Sequence, residues 1–249
     1  MGEFRDTYYL WDPRNGINVG RPQEKQPGMV KLGPRGLDGA LEDLSMKALL
    51  LGKSRNLEIH CHGLPARVRL GTDLGIARSN VASFGNQLRC ALLPGALIEI
   101  LACRVAAQEA DGVLSRTAPA NIQGYEPEYH GKLLEVLIDY YKKRGRKLPE
   151  VKPDARYIPD PDCDGLEFCR SLSQAAHATV RAAIQPQAEE GTGQEDDVLM
   201  PNISPIGNWE GPVFDFYMNR TVRFEGMSLF RPTSWGPIRV DIGGPVGIC

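Results

Sequence analysis

The chain lacks any run approaching the roughly 20 apolar residues needed to cross a bilayer. It opens on Met1-Gly2-Glu3-Phe4-Arg5-Asp6 rather than on a basic-then-apolar leader, which predicts a soluble cytoplasmic protein with no membrane partner. An excess of charge of one sign is also missing. With 29 Lys+Arg against 31 Asp+Glu there is no clustered positive charge to drive sequence-independent nucleic-acid binding, so nucleic acid is excluded as a primary ligand. The six cysteines (Cys61, Cys90, Cys103, Cys163, Cys169, Cys249) include no CxxC pair and no dense regular spacing. That excludes a disulfide framework or a zinc knuckle and points to free thiols in a reducing compartment. No internal repeat is present, and no cofactor is expected.

What is present is a 249-residue chain, long enough to bury a substantial core. Thr7–Trp11 is aromatic and β-branched and reads as a first strand, stopped by Asp12-Pro13. Prolines 13, 22, 27 and 34 predict a long irregular connection. Leu41, Leu44, Ala48 and Leu51 follow helical spacing up to Gly52, and the strand Asn56–Cys61 follows. Arg67–Gly71 suits a small hairpin beside the strand end. Val81, Phe84, Leu88 and Leu92 predict a second helix, closed by Pro94-Gly95 before an apolar strand over Ala96–Ala102. Residues 106–164 read as an insertion whose helix carries Leu133, Leu134, Leu137, Ile138 and Tyr141. The basic run Lys142–Lys147 is read as its solvated end. Phe168, Leu172, Ala175 and Ala176 predict another helix, and Thr179–Ile184 another strand. Residues 186–197 are acidic and apolar-poor. Val213–Tyr217 and Thr221–Phe224 predict a hairpin, and Ile238–Ile242 a last strand.

Helices alternating with apolar strands predict an α/β fold, a mainly parallel sheet with helices on both faces. The domain reading is an α/β domain over 1–202, carrying the insertion 106–164, with a β-rich C-terminal extension over 203–249 packing on it. In such a sheet the site lies at the strand ends.

Two stretches carry chemistry. Leu57-Glu58-Ile59-His60-Cys61-His62-Gly63 ends a strand on a base, and Leu97–Cys103 ends a later strand on a nucleophile 41 residues beyond His62. A thiol with an ordinary pKa of about 8.5 is only partly ionised at neutral pH and needs a neighbouring histidine to react. His62 can supply that and later protonate a leaving amine. Gly63, having no Cβ, allows close approach of its backbone, and its N–H with that of Cys103 would suit an oxyanion.

Cys61-His62-Gly63-Leu64-Pro65, then Val68-Arg69-Leu70-Gly71, then Ile100-Leu101-Ala102-Cys103-Arg104-Val105-Ala106-Ala107, resembles the caspase-like cysteine peptidases, nearest to the bacterial CHAT-like branches. Phe168–Ile184 also resembles the helix and strand after the cysteine in that branch. The likeness covers roughly residues 37–107 and 165–185. It implies a caspase-like fold and a cysteine endopeptidase cutting a protein or peptide substrate, with His62 as general base or acid, Cys103 as nucleophile and Gly63 in the oxyanion hole. A regulatory protein partner is a further expectation. Two positions depart from the pattern. Leu101 stands where several relatives that cut after Arg or Lys carry an acid, which points instead to an apolar or small P1 residue. Ala66 replaces the glycine often found after the proline.

Other readings stay open at this level. Strand alternation puts His60 and His62 on one side, so with Cys103 they offer three zinc ligands, though no fourth is in view. His60 is more simply a buried strand residue, and Cys61 should face the core. Asp73 is a candidate third member orienting His62. The aromatic tail (Trp209, Phe214, Phe216, Tyr217, Phe230, Trp235) suggests an alternative, an inactive caspase-like interaction module. The segments 106–164 and 186–197 are candidate regulatory loops and sites of autoprocessing.

Overall fold

The computed structural model describes residues 7–12, 28–70, 75–102, 105–108, 114–118, 121–143, 148, 150–152, 161–184, 211–233 and 236–242. In chain order the elements are β1 (Thr7–Trp11), β2 (Met29–Lys31), α1 (Gly36–Leu51), β3 (Ser54–His60), β4 (His62–Leu64), β5 (Arg67–Arg69), β6 (Ile76–Ala77), α2 (Val81–Leu88) and β7 (Leu92–Leu101). They continue as β8 (Leu114–Ser115), α3 (Pro127–Lys143), β9 (Val151–Lys152), α4 (Gly165–Ala176), β10 (Thr179–Ala183), β11 (Gly211–Phe216), β12 (Val222–Thr233) and β13 (Gly236–Ile242).

Eight of these strands form one mixed sheet in the order β13-β12-β11-β10-β7-β3-β1-β2. The five strands from β2 to β10 run parallel, and β11 to β13 continue the sheet antiparallel. The C-terminal strands therefore extend the main sheet itself. A small antiparallel sheet, β4-β5-β6, sits just after β3. Its β4–β5 turn has Pro65 followed by Ala66 at φ 56, the left-handed conformation that explains why glycine suits this position.

Side chains alternate along each strand, so register sorts the sheet into two faces. On one face, Tyr8, Leu57, Ile98, Val180, Phe216 and Val222 form a row, and Leu10, Ile59, Ile100, Ala182, Phe214 and Phe224 form the next. All twelve are buried in a single apolar cluster. At about 1.5–3 kcal/mol for each fully buried large side chain, this face supplies the main driving force for folding.

The helices join that same cluster: Leu41 and Leu44 from α1, Phe84 and Leu88 from α2, Leu133 from α3, and Phe168 and Leu172 from α4. Tyr125, just before α3, meets Phe214 edge-on with centroids 5.1 Å apart, and Tyr129 lies 5.5 Å from Phe224. The predicted insertion is thus built into the core. The N–H of Gln123 also donates to Val222 and its carbonyl accepts from Phe224.

Helices were expected on both faces; among the described residues all four bury their apolar positions on one. Topology gives the reason. The helix-bearing steps, β2 to β3, β3 to β7 and β7 to β10, all run in the same direction across the sheet, and right-handed crossovers in one direction put every connecting helix on the same side. The second face carries the polar members of the alternation, among them Glu58, Glu99, Arg181 and Asp215.

The segment following β7 is held tightly. Ala66 N–H donates to the Val105 carbonyl at 3.1 Å, Ala106 N–H to Ala183 at 3.1 Å, and Gly165 N–H to Ala107 at 2.9 Å. Val105, Ala106 and Ala107 are all buried. A Cβ on Gly165 would come within 3.0 Å of the Val105 and Ala107 carbonyl oxygens and the Ala106 carbonyl carbon, all backbone atoms that cannot swing away. Gly165→Ala is therefore expected to cost about 2 kcal/mol, as overpacking typically does. A lowered urea midpoint at unchanged slope would show this; an unchanged midpoint would mean that the segment yields.

Candidate functional site

Parallel pairing brings the carboxyl ends of β1, β3 and β7 to one edge. Trp11 is opposite His60, and His60 is opposite Leu101. Asp12 N–H donates to His60 and Cys61 N–H to Leu101, so pairing continues to the last residues of β3. Beyond His60 the chain turns into β4 at the half-buried His62, which pairs with Arg69, and Gly63 pairs with Val68. A two-residue hairpin closes on a hydrogen-bonded pair, here Leu64–Arg67. Antiparallel pairs alternate, so Gly63–Val68 is the non-hydrogen-bonded pair and the Gly63 N–H points away from β5.

Cys103 and Asp73 lie outside the described residues, as does the acidic segment 186–197. Position 103 is two residues beyond Leu101, as position 62 is two beyond His60, and Leu101 and His60 are register partners.

The histidine and cysteine neighbours sort cleanly. His60 is buried, accepts or donates one hydrogen bond with Glu58 Oε2 at 3.0 Å, and lies 6.3 Å from the Tyr9 ring. It is the buried strand residue of the simpler reading. Cys61 is buried in the apolar cluster, as alternation required. Among the described residues no three His, Cys, Asp or Glu side chains come together as metal ligands. His130 is buried on α3 with its Nδ1 2.9 Å from the Tyr125 hydroxyl. His177 caps α4 in a left-handed conformation, and its carbonyl accepts from Gly95. Cys169 is buried, and burial pushes its thiol pKa far up, making it inert.

Sequence reasoning passed over a charged row on the second face. Register aligns Tyr9, Glu58, Glu99, Arg181, Asp215 and Arg223 across β1, β3, β7, β10, β11 and β12. Arg181 makes a bidentate pair with Asp215, Nε to Oδ1 at 2.7 Å and Nη2 to Oδ2 at 2.8 Å. Glu99 and Glu225 each lie 3.7 Å from the same guanidinium. The row begins one step behind the His60–Leu101 edge, so it braces the strands that end at the site. Its signal was the single charged residue alternating with apolar ones in Leu57-Glu58-Ile59, Ile98-Glu99-Ile100 and Val180-Arg181-Ala182.

Burial raises the pKa of Glu99 against the opposing pull of Arg181, with Glu58 and Asp215 adding to the rise. Burial and Asp215 likewise raise Glu225. A carboxyl whose folded pKa lies above its unfolded value adds stability when protonated. That contribution is complete below the ordinary value of 4.5 and is lost as pH rises through the elevated one. Glu99→Gln is therefore expected to flatten, though not abolish, the fall in melting temperature as pH rises from about 4.5 toward neutrality. A parallel pair of pH curves for wild type and variant would contradict it.

No protein-family model, no curated protein and no solved structure matches the chain. No described helix is long and apolar enough to cross a membrane.

Proposed function

We propose that the chain is a caspase-like cysteine endopeptidase acting through His62 and Cys103. The observation that carries this reading is the β3–β7 register: two adjacent parallel strands end on paired residues, and each is followed two positions later by one member of the dyad. The thiolate sulfur of Cys103 attacks a peptide carbonyl carbon, and the C–N bond breaks to leave a thioester. His62 takes the thiol proton and gives it to the departing amine; water then hydrolyses the thioester. The Gly63 N–H, directed away from β5, and the Cys103 N–H stabilise the oxyanion formed in each half-reaction.

Among the described residues the helices lie on one face, which departs from what the resemblance implied, so the reading rests on register and strand-end residues rather than on layer architecture. Of the aromatic tail that motivates the interaction-module alternative, Phe214 and Phe216 are fully buried core residues, while Trp209, Trp235 and the Phe230 side chain lie outside the described residues.

The test is a comparison of new protein N-termini in lysates incubated with wild type or with Cys103→Ala. Cleavages present only with the wild type support a peptidase, and their flanking residues define its specificity. Identical sets of N-termini overturn it.

A further inference from the structure

The outer face of α1 carries an apolar patch that its own core does not use. The helix buries Ala40, Leu41, Leu44 and Ala48. At about 100° per residue, Met46, Leu49 and Leu50 lie on the opposite side. Leu49 and Leu50 are each 78% exposed, Met46 55%, and Leu51 at the helix end 53%. A helix apolar on both sides is ordinarily covered on both. Single exposed leucines need no explanation, but Met46, Leu49 and Leu50 are three large apolar residues within five positions on one side of the helix.

The charges around the patch are arranged by end. The amino-terminal half presents exposed Asp38, Glu42 and Asp43, with Arg35 pairing to Glu42 at 2.8 Å and to Asp43 at 2.7 Å. Three carboxylates against one guanidinium leave that end acidic. Just past the carboxyl end lies exposed Lys53, whose Nζ donates to the carbonyl of exposed Arg89 at 2.9 Å. That end is basic.

We propose that this face is a two-fold interface between two copies of the chain, with α1 packed antiparallel on α1 of the second copy. A two-fold axis beside the helix makes the surface its own partner, since each residue i meets j while j meets i. Leu49, Leu50 and Met46 then cover their counterparts, and each acidic end meets the other copy's basic end. A uniformly acidic or basic partner, or an anionic lipid surface, would gain at one end and be repelled at the other. Only a partner with the same dipolar pattern reversed satisfies both, and a second copy has it by symmetry.

Sedimentation velocity on the full chain over a concentration series tests this. The expected result is a species of twice the monomer mass, and Leu50→Lys shifts it to monomer with an unchanged circular-dichroism spectrum, since Leu50 is exposed. Two charge-reversed chains give the orientation: Glu42→Lys/Asp43→Lys, and Lys53→Glu/Arg89→Glu. Each alone is expected to self-associate about tenfold more weakly, because like charges then face each other, while an equimolar mixture regains wild-type association as a heterodimer. A wild-type chain monomeric at every attainable concentration overturns the proposal. So does a dimer indifferent to Leu50→Lys, or a mixture of the charge-reversed chains that fails to regain association.

Discussion

His62→Ala is expected to lower the rate of peptide cleavage by about 10²–10⁴, the usual contribution of a positioned general acid–base. Two separable effects combine in that loss. Without the imidazole the Cys103 thiol returns toward its ordinary pKa of about 8.5, so its alkylation at neutral pH slows and the pH midpoint of alkylation moves up. The leaving amine also loses its proton donor, which slows cleavage further than alkylation. A purely structural role for His62 would reduce cleavage without moving that midpoint. Alkylation profiles of wild type and variant, taken beside cleavage rates, distinguish the two. His60→Ala serves as the comparison, because His60 is buried against Glu58 and should affect stability more than the alkylation midpoint.

Asp215→Asn is expected to cost about 3 kcal/mol of folding stability, as breaking one side of a buried pair does. Asp215 is 7% exposed and holds the Arg181 guanidinium by two hydrogen bonds, while Glu99 and Glu225 approach it no closer than 3.7 Å. Burial works to lower the Arg181 pKa, yet the Asp215 hydrogen bonds and the surrounding carboxylates outweigh it and raise it, so the guanidinium stays charged. The variant leaves that charge on a half-buried face with its best partner gone. Replacing both residues together, Arg181→Met with Asp215→Leu, is expected to be milder, because the guanidinium goes with its best partner and the carboxylates left behind, Glu99 and Glu225, are only partly buried. Urea denaturation of the two variants checks this. Equal losses would mean that the pair contributes net attraction of its own rather than only compensating its desolvation.

The elements that lead to His62 and toward position 103 were legible because they are local. Thr7–Trp11, the strand before His62 and the helix of Phe168 and Leu172 announce themselves by short apolar runs and helical spacing. The β7 boundary was not. Pro94-Gly95 reads as a break, yet the strand begins at Leu92 and passes through it. Gly95 takes φ 78, its N–H bonds to His177 outside the sheet, and the register with β3 shifts between Ser54 and Asn56. A bulge thus absorbs the proline. Leu51 fits the α1 stripe by spacing but is exposed, because it is the last residue of the helix and lies past the buried stripe, an end effect that periodicity does not show.

The polar character of the second face was present in the sequence and passed over. Glu58, Glu99 and Arg181 alternate with apolar residues, the pattern of a half-solvated strand, but each run is apolar enough to resemble a doubly buried one. The convergence of three carboxylates on Arg181 had no sequence signal at all. It depends on register among β7, β10, β11 and β12, whose residues lie up to 126 positions apart (Glu99 to Glu225).

The central claim is that Cys103 is a nucleophile activated by His62. Labelling by a peptide bearing a thiol-reactive warhead, followed by mass mapping of the modified residue, tests it on wild type, Cys103→Ala and His62→Ala. The account predicts modification at Cys103 in the wild type, none there in Cys103→Ala, and slowed modification of Cys103 in His62→Ala, with the exposed Cys90 labelled slowly and equally in all three. Modification of Cys103 no faster than of Cys90, and at the same rate with or without His62, would contradict it.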